Sequence, residues 1–180
     1  MTGRMDIARL IAASLAVSIA AGLAAGCRAP GDRGGLAGTA EPILRAATAG
    51  QVLEAARAPG AKAALINVWA TWCQPCVEEF PDLVKLHRAY ADRGLRLVLV
   101  SADFEEQRES VLAFLRKQGA SFPSYLKDQK DEDFIDGIDA RWSGALPASF
   151  VVDRSGAIVD YWEGKKDYVA LEAKLAPLLR

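Results

Sequence analysis

A pair of cysteines, Cys73 and Cys76, stands where an apolar segment gives way to an amphipathic one, and this junction constrains the fold more than any other stretch. Residues 63–70 are apolar almost throughout, which is typical of a strand buried on both faces of a sheet. Residues 75–93 then space their apolar side chains as a helix does, and Gly94 is suited to end that helix. A strand that leads to a dithiol at the start of a helix indicates thiol–disulfide exchange.

The elements on either side of this junction predict a three-layer α/β/α sandwich around a mixed sheet. Further helices are predicted over residues 42–58, 105–118 and 168–178, further strands over residues 95–101, 149–153 and 158–162, and an irregular stretch over residues 127–139. Strands alternate with helices in the first half, which favours parallel strands joined by crossover helices, while the last two strands form a hairpin. The dithiol is therefore expected at the carboxyl end of a strand, where open α/β sheets place their sites.

The start of the chain has the layout of an export signal. A basic segment is followed by residues 10–26, which carry no charge. This run is close to the shortest length that spans a membrane, so an uncleaved anchor is the alternative. Residues 23–27 resemble the bacterial lipobox, although Ala24 stands where Leu is preferred, and Cys27 would then carry a lipid. We therefore expect residues 1–26 to be a lipoprotein-type export signal that leaves the protein outside the cytoplasm and anchored to a membrane.

Residues 27–41 are rich in Gly and contain almost no large apolar side chain, so they predict a flexible tether. A chain of about this length has a typical reach of roughly 20 Å. Residues 42–180 form the predicted domain. The formal net charge of −1 gives no reason to expect nucleic acid as a partner.

A Cys-x-x-Cys pair can also be half of a zinc site or an inert disulfide. Zinc requires further ligands, and the domain offers no other cysteine and only one histidine, His87. A disulfide across so small a loop would stabilise the fold little. Redox chemistry without a metal or another cofactor is therefore the favoured interpretation, and His87 is expected to be a helix residue with its hydrogen bonds satisfied.

The junction also carries a family resemblance. Residues 69–76 (WATWCQPC) resemble the active-site signature of the thioredoxin superfamily, and with residues 77–81 they are similar to its membrane-tethered TlpA/ResA branch, which shows WCxPCxxExP. Residues 144–156 resemble a second landmark of that branch, so the likeness extends over about residues 61–180. The resemblance implies a thioredoxin-like fold and thiol–disulfide oxidoreductase activity. That branch usually carries a hairpin before its first buried strand, where residues 42–60 of this chain predict a helix.

The two cysteines are expected to have different roles. Cys73 should be exposed at the helix N-terminus, where the helix dipole stabilises a thiolate by up to about 2 kcal/mol, and should act as the nucleophile. Cys76, one turn further along, should be more buried and should resolve the mixed disulfide. Gln74 and Pro75 lie between the two cysteines and would tune the reduction potential. A small change in the dithiol–disulfide equilibrium matters, since a tenfold change corresponds to about 30 mV.

Resolution by Cys76 requires a base, and Glu79 is the expected one. Glu79 follows Cys76 by three residues on the same helical face, and it matches the Glu to which the TlpA/ResA resemblance assigns acid–base chemistry. Asn67 stands where thioredoxins have a buried Asp, so that acid is absent. Glu78 is expected to be a solvated surface residue.

The resemblance further implies a substrate surface beside the dithiol. It predicts a cis peptide bond before Pro147, against the trans form that most X–Pro bonds adopt, and makes the backbone of Leu146 available to pair with the substrate chain. Trp72 is expected to be partly exposed, either contacting substrate or shielding the thiolate. Trp69 and Trp142 are expected to pack in the core.

The favoured function is that of an extracytoplasmic, lipid-anchored thiol:disulfide oxidoreductase. The expected partners are cysteine-containing exported proteins, a membrane electron donor, and the membrane itself through the lipid anchor. The resemblance implies a reductant, as in cytochrome c maturation. A thiol peroxidase is a second hypothesis, but Thr71 and Cys73 lack the Thr-x-x-Cys spacing expected of one. A thioredoxin-fold adaptor that binds partners without turnover is a third.

Overall fold

The computed structural model describes residues 41–180, which form one mixed sheet flanked by helices. The strands are β1 (Leu44–Ala47), β2 (Ala63–Trp69), β3 (Leu95–Ser101), β4 (Ser124–Lys127), β5 (Ala148–Asp153) and β6 (Ile158–Glu163). The helices are α1 (Ala49–Arg57), α2 (Gln74–Tyr90), α3 (Arg108–Gln118), α4 (Asp131–Ile138) and α5 (Tyr168–Leu175). Short 3₁₀ turns cover Ala91–Arg93, Glu105–Gln107 and Ala176–Leu179.

The order of the six strands is β1-β4-β3-β2-β5-β6. The first four of these pair in parallel, and β5 and β6 add antiparallel strands beside β2. β2 is buried at every position, because it has a partner on each side and helices on each face. This arrangement confirms the predicted three-layer sandwich around a mixed sheet.

Two apolar clusters pack on opposite faces of the sheet. Side chains from α2, α3 and α5 form one cluster, and side chains from α1 and α4 form the other. Neighbouring residues of β2 point to different clusters, with Leu65 in the first and Ile66 in the second, as the alternation of a strand requires. β2 is therefore held from both faces.

The prediction of a helix over residues 42–58 is wrong for the first half of that range. Its first residues form β1, which pairs with β4 in a register that puts Leu44 opposite Ser124. Thr48 then caps α1, since its side chain accepts from the backbone N–H of Gln51 and its own N–H donates to the Gln51 side chain. The apolar pattern fits either element, and pairing with a strand far along the chain decides between them.

The stretch predicted to be irregular over residues 127–139 contains the end of β4 and the whole of α4. Three acidic residues occupy the first turn of α4, where they are favoured by the helix dipole. Phe134 and Ile138, one turn apart, are buried and attach the helix to the core. Two apolar anchors in eight residues give a periodicity too weak to be recognised in the sequence.

The expectations for the start of the chain lie outside the described residues. They are the export signal over residues 1–26, the lipidation of Cys27, and the tether over residues 27–41 except for Glu41. Glu41 itself forms an ion pair with Arg116 at 2.9 Å. Between residues 41 and 180, no helix is long and apolar enough to cross a membrane.

Candidate active site

The dithiol lies at the carboxyl end of a central strand, as expected. β2 ends at Trp69, and α2 begins five residues later at Gln74, with Cys73 at its N-cap position. Pro75 lies in the first turn, where its missing N–H costs no hydrogen bond. Cys73 and Cys76 are joined by a disulfide, with their Cα atoms 5.3 Å apart. The structure therefore shows the oxidised form of the pair.

The two cysteines differ less in exposure than the sequence suggests. Cys73 is 6% exposed and Cys76 is 1% exposed. The expectation of an exposed Cys73 is wrong for this oxidised form, because its sulfur is bonded to Cys76 and lies in an apolar cluster against which Leu146 packs. Gln74 and Pro75, between the cysteines, are exposed.

Glu79 is a buried carboxyl group on α2, three residues after Cys76, and is only 1% exposed. Its Oε1 accepts the backbone N–H of Lys166 at 2.9 Å, and its Oε2 accepts from Nδ2 of Asn67 at 3.1 Å. Burial raises the pKa of Glu79 above its ordinary value, while both hydrogen bonds and the positive charge of Lys166 oppose that rise. A buried carboxyl group with a raised pKa is suited to accept a proton and return it.

Asn67 links Glu79 to a third buried polar residue, Ser149. Its Nδ2 also donates to Oγ of Ser149 at 2.9 Å, because the two residues lie opposite each other in the pairing of β2 with β5. The Oδ1 of Asn67 is buried and has no hydrogen-bond partner within residues 41–180. Sequence reasoning missed Ser149, although a polar residue within the apolar run of β5 was a usable signal.

Glu78 is exposed, as expected, and its Oε2 accepts from Nζ of Lys165 at 2.6 Å. That hydrogen bond lowers the pKa of Glu78. Two residues beyond Lys166, the backbone N–H of Tyr168 donates to Oδ2 of Asp82 at 3.1 Å. The loop between β6 and α5 is therefore fastened to α2 by successive contacts.

A buried acid fixes the backbone just before the dithiol. Asp103 is 1% exposed and accepts the backbone N–H of Thr71 at 2.9 Å and the Thr71 hydroxyl at 2.5 Å. The hydroxyl of Ser101, at the end of β3, donates to the same carboxylate at 2.6 Å. The Thr71 side chain is therefore held toward β3. Asp103 was not among the site residues predicted from the sequence.

The expected substrate surface lies at the same edge of the sheet. The Leu146–Pro147 peptide bond is cis, as expected. Ala148, which begins β5, is opposite Val68, so the proline lies near the carboxyl end of β2. Trp72 is 62% exposed, and together with Leu146 it lines a cavity of about 150 Å³.

The remaining residues singled out in the sequence are structural. Trp69 and Trp142 are buried in the core, as expected. His87 packs against Phe122 with ring centroids 4.1 Å apart, and burial lowers its pKa. Its Nδ1 is buried without a partner in the described part of the chain, so the expectation of satisfied hydrogen bonds is wrong for that atom. Within residues 41–180, no group of three or more His, Cys, Asp or Glu side chains could hold a metal ion.

A mixed sheet with a dithiol at the N-terminus of the helix after a central strand defines a thioredoxin-like protein. The model of the AhpC/TSA family matches residues 40–161, and the chain belongs to that family.

Named relatives agree with this class. The chain is 32% identical over 115 residues to the thiol-disulfide oxidoreductase ResA of Bacillus anthracis, covering 63% of this chain and 62% of the relative. It is 35% identical over 118 residues to the thioredoxin-like protein YneN of Bacillus subtilis, covering 63% and 64%. The match therefore spans less than two thirds of the length of these curated relatives.

Solved structures give the same result. A thiol:disulfide interchange protein of the thioredoxin family from Chlorobium tepidum superposes with a TM-score of 0.58 at 28% identity, covering 66% of this chain and 81% of that one. StoA from Bacillus subtilis superposes with a TM-score of 0.52 at 25% identity, covering 64% and 84%.

Proposed function

We propose that this chain catalyses thiol–disulfide exchange through Cys73 and Cys76, with Glu79 as the acid–base group. One observation carries the proposal: the two cysteines are directly bonded at the start of α2, and a buried carboxyl group lies on the same helical face. The names of the relatives, which are thiol-disulfide oxidoreductases and interchange proteins, support it.

In the reducing direction, the first step is attack by the Cys73 thiolate on one sulfur of a substrate disulfide. A mixed disulfide forms, and the other substrate sulfur leaves as a thiolate that takes a proton from solvent. The N-terminus of α2 favours the Cys73 thiolate electrostatically. Gln74 and Pro75, which lie between the cysteines, set the relative stability of the dithiol and the disulfide.

In the second step, the Glu79 carboxylate accepts the thiol proton of Cys76. The Cys76 thiolate then attacks the sulfur of Cys73, the protein disulfide forms again, and the second substrate sulfur leaves and is protonated. Two electrons and two protons pass to the substrate in all. A dithiol donor must return them to the oxidised pair before the next turnover.

The proposal extends to location and partners. Residues 1–26 act as a lipoprotein-type export signal, Cys27 carries the lipid, residues 27–41 form a tether, and residues 42–180 form the thioredoxin-like domain. The substrates are cysteine-containing exported proteins, as in cytochrome c maturation, and a membrane electron donor reduces the pair. Substrate chains pair with the backbone of Leu146 beside Pro147 and contact Trp72. The sequence pattern around Cys27 supports the location, and the resemblance of residues 69–81 and 144–156 to the TlpA/ResA branch supports the partners.

Insulin reduction by the purified full-length protein in detergent tests the activity. We expect turnover that Cys73→Ser abolishes, that Cys27→Ser retains, and that Cys76→Ser stops at the mixed disulfide. In cells, Cys76→Ser should therefore trap substrates covalently, and Cys27→Ser should abolish labelling of the protein with radioactive palmitate. Absence of turnover, together with normal growth of a Cys73→Ser strain, would favour the adaptor hypothesis.

The peroxidase hypothesis has less support from the site. The hydroxyl of Thr71 donates to Asp103, so its proton is already used in a hydrogen bond within the protein. Hydrogen peroxide consumption by the reduced protein at the rate of insulin reduction would reverse this preference.

A further inference from the structure

An apolar groove lies beside the dithiol and extends beyond Trp72 and Leu146, the two residues proposed above to contact substrate. It is a cavity of about 150 Å³ with both aromatic and aliphatic walls. Its large apolar lining residues are Trp72, Phe104, Phe134, Ile135, Trp142 and Leu146. The volume is below the usual range for a complete small-molecule ligand, and it suits a single apolar side chain.

Two of these side chains are exposed to an unusual degree for their size. Trp72 is 62% exposed and Phe104 is 64% exposed, and both border the same cavity. Exposed apolar side chains that meet at one concave site indicate binding, whereas single scattered ones do not. Phe104 lies in the loop after β3, so it reaches the groove from a different segment than the dithiol.

The groove is continuous with the site of exchange. Trp72 directly precedes Cys73, and Leu146 directly precedes Pro147. Leu146 also packs against the cluster that contains both cysteines. A chain whose cysteine reaches Cys73 can therefore place a neighbouring side chain in the groove.

The far rim of the groove is acidic. Phe104, Lys127 and Asp131 also line a second depression, whose other carboxylates include Glu106 and Asp128. Lys127 is paired with Asp131 at 2.7 Å, and Glu105 is paired with Arg108 at 2.5 Å. Glu106 and Asp128 are exposed and form no ion pair within the described part of the chain. Lys130 lines the same depression and offsets only one of these two charges, so the rim keeps a net negative charge.

We propose that this surface selects substrate segments that carry a large apolar residue next to the reacting cysteine and Lys or Arg a few residues away. The apolar residue fills the groove between Trp72 and Phe104, and the basic residues meet Glu106 and Asp128. An extended segment advances about 3.3 Å per residue, so one segment can contact both parts of the surface. The inference rests on the proposed exchange activity and adds the class of substrate to it.

Four disulfide peptides test this surface on the full-length protein in detergent, with excess dithiol as reductant. They share one sequence and differ in the residue beside the cysteine, Phe or Gly, and in a nearby pair, Lys-Lys or Glu-Glu. We expect Phe to raise kcat/KM over Gly by about tenfold. We expect Lys-Lys to raise it over Glu-Glu by at least about threefold, an advantage that about 1 M salt removes by screening.

Variants assign each preference to its residues. Phe104→Ser should abolish the preference for Phe, while Val169→Ser, which alters a side chain that is 72% exposed on α5, should keep it. Glu106→Gln with Asp128→Asn should abolish the preference for Lys-Lys. Glu54→Gln with Asp92→Asn removes the same charge from two exposed sites elsewhere and should keep that preference.

The outcomes separate this inference from the proposed function. If all four peptides are reduced with the same kcat/KM, or if the control variants lose the preferences equally, the docking surface is wrong and the exchange activity stands. If neither the peptides nor insulin are reduced, the exchange activity fails and this inference fails with it.

Discussion

Replacing Glu79 with Gln should separate the catalytic value of this carboxylate from its cost to the fold. A Gln side chain keeps the volume and the acceptor for the N–H of Lys166, but it presents an NH₂ group to Nδ2 of Asn67. The Asn67 amide can turn over to avoid this contact. Its Oδ1, buried without a described partner, would then accept from Gln and from the hydroxyl of Ser149. The number of buried polar atoms without a partner stays the same.

The expected change in stability is therefore small. Hydrogen bonds to a charged group contribute about 1.5–3 kcal/mol each, and removal of a carboxylate from water costs several kcal/mol in the opposite direction. These effects nearly cancel, so the free energy of unfolding at pH 7 should stay within about 1 kcal/mol of the wild type.

The pH dependence of stability should change more clearly. Because the pKa of Glu79 is raised in the folded protein, the unfolded chain loses this proton first as the pH rises. The contribution of Glu79 to stability is therefore largest below the ordinary pKa of a carboxyl group, and it is lost as the pH rises through the raised value. It is measured as the difference in the free energy of unfolding between the wild type and Glu79→Gln at each pH. The slope of this contribution against pH cannot exceed about 1.4 kcal/mol per pH unit for one proton, and it should be missing in Glu79→Gln. Urea titrations between pH 4 and 8 measure it.

The rate at which Cys76 resolves the mixed disulfide should change far more than the stability does. Without a proton acceptor for Cys76, resolution of the mixed disulfide should slow by about 10²–10⁴-fold and lose its dependence on the ionisation of a carboxyl group. Quenched-flow trapping of the mixed disulfide gives this rate. Glu78→Gln is the matched control, because Glu78 is exposed and binds Lys165. This variant should resolve its mixed disulfide at close to the wild-type rate. A Glu79→Gln protein that resolves as fast as wild type between pH 6 and 9 would refute the assignment.

Three other substitutions test the structure around the site. Asn67→Asp would put a second buried carboxyl group against Glu79, and two carboxyl groups cannot both ionise there without strong repulsion. The free energy of unfolding at pH 8 should therefore fall by about 3–5 kcal/mol, and it should partly recover at pH 5. Phe80→Ala removes a fully buried ring whose centroid is 4.7 Å from that of the Trp69 ring. It should lower the free energy of unfolding in urea by about 3–5 kcal/mol, whereas Phe80→Leu should lower it by no more than about 1.5 kcal/mol. Thr48→Ala removes the side-chain oxygen that accepts from the backbone N–H of Gln51 and should cost about 1 kcal/mol, whereas Thr48→Ser should cost almost nothing. Equal stability of the two Phe80 variants or of the two Thr48 variants would contradict the contacts described, and so would an Asn67→Asp protein that is as stable at pH 8 as the wild type.

The sequence alone determined the features that depend on neighbouring residues. The apolar run of β2, the spacing of the two cysteines and the helical periodicity of α2 are local patterns, and they were sufficient to predict the strand, the dithiol and the helix in order. The position of Glu79 on the same helix face as Cys76 was also predictable, because a helix places residues three apart on one face. The local pattern did not separate β1 from α1 or reveal α4.

Only the tertiary structure decided what surrounds the dithiol. Asn67 and Ser149 meet because β5 pairs with β2 in one particular register, and a shift by one residue would turn Ser149 to the other face. Phe104 joins Trp72 at the groove because separate loops end at the same edge of the sheet. Strand register and loop convergence depend on contacts between residues far apart in the chain, and no local period in the sequence encodes them.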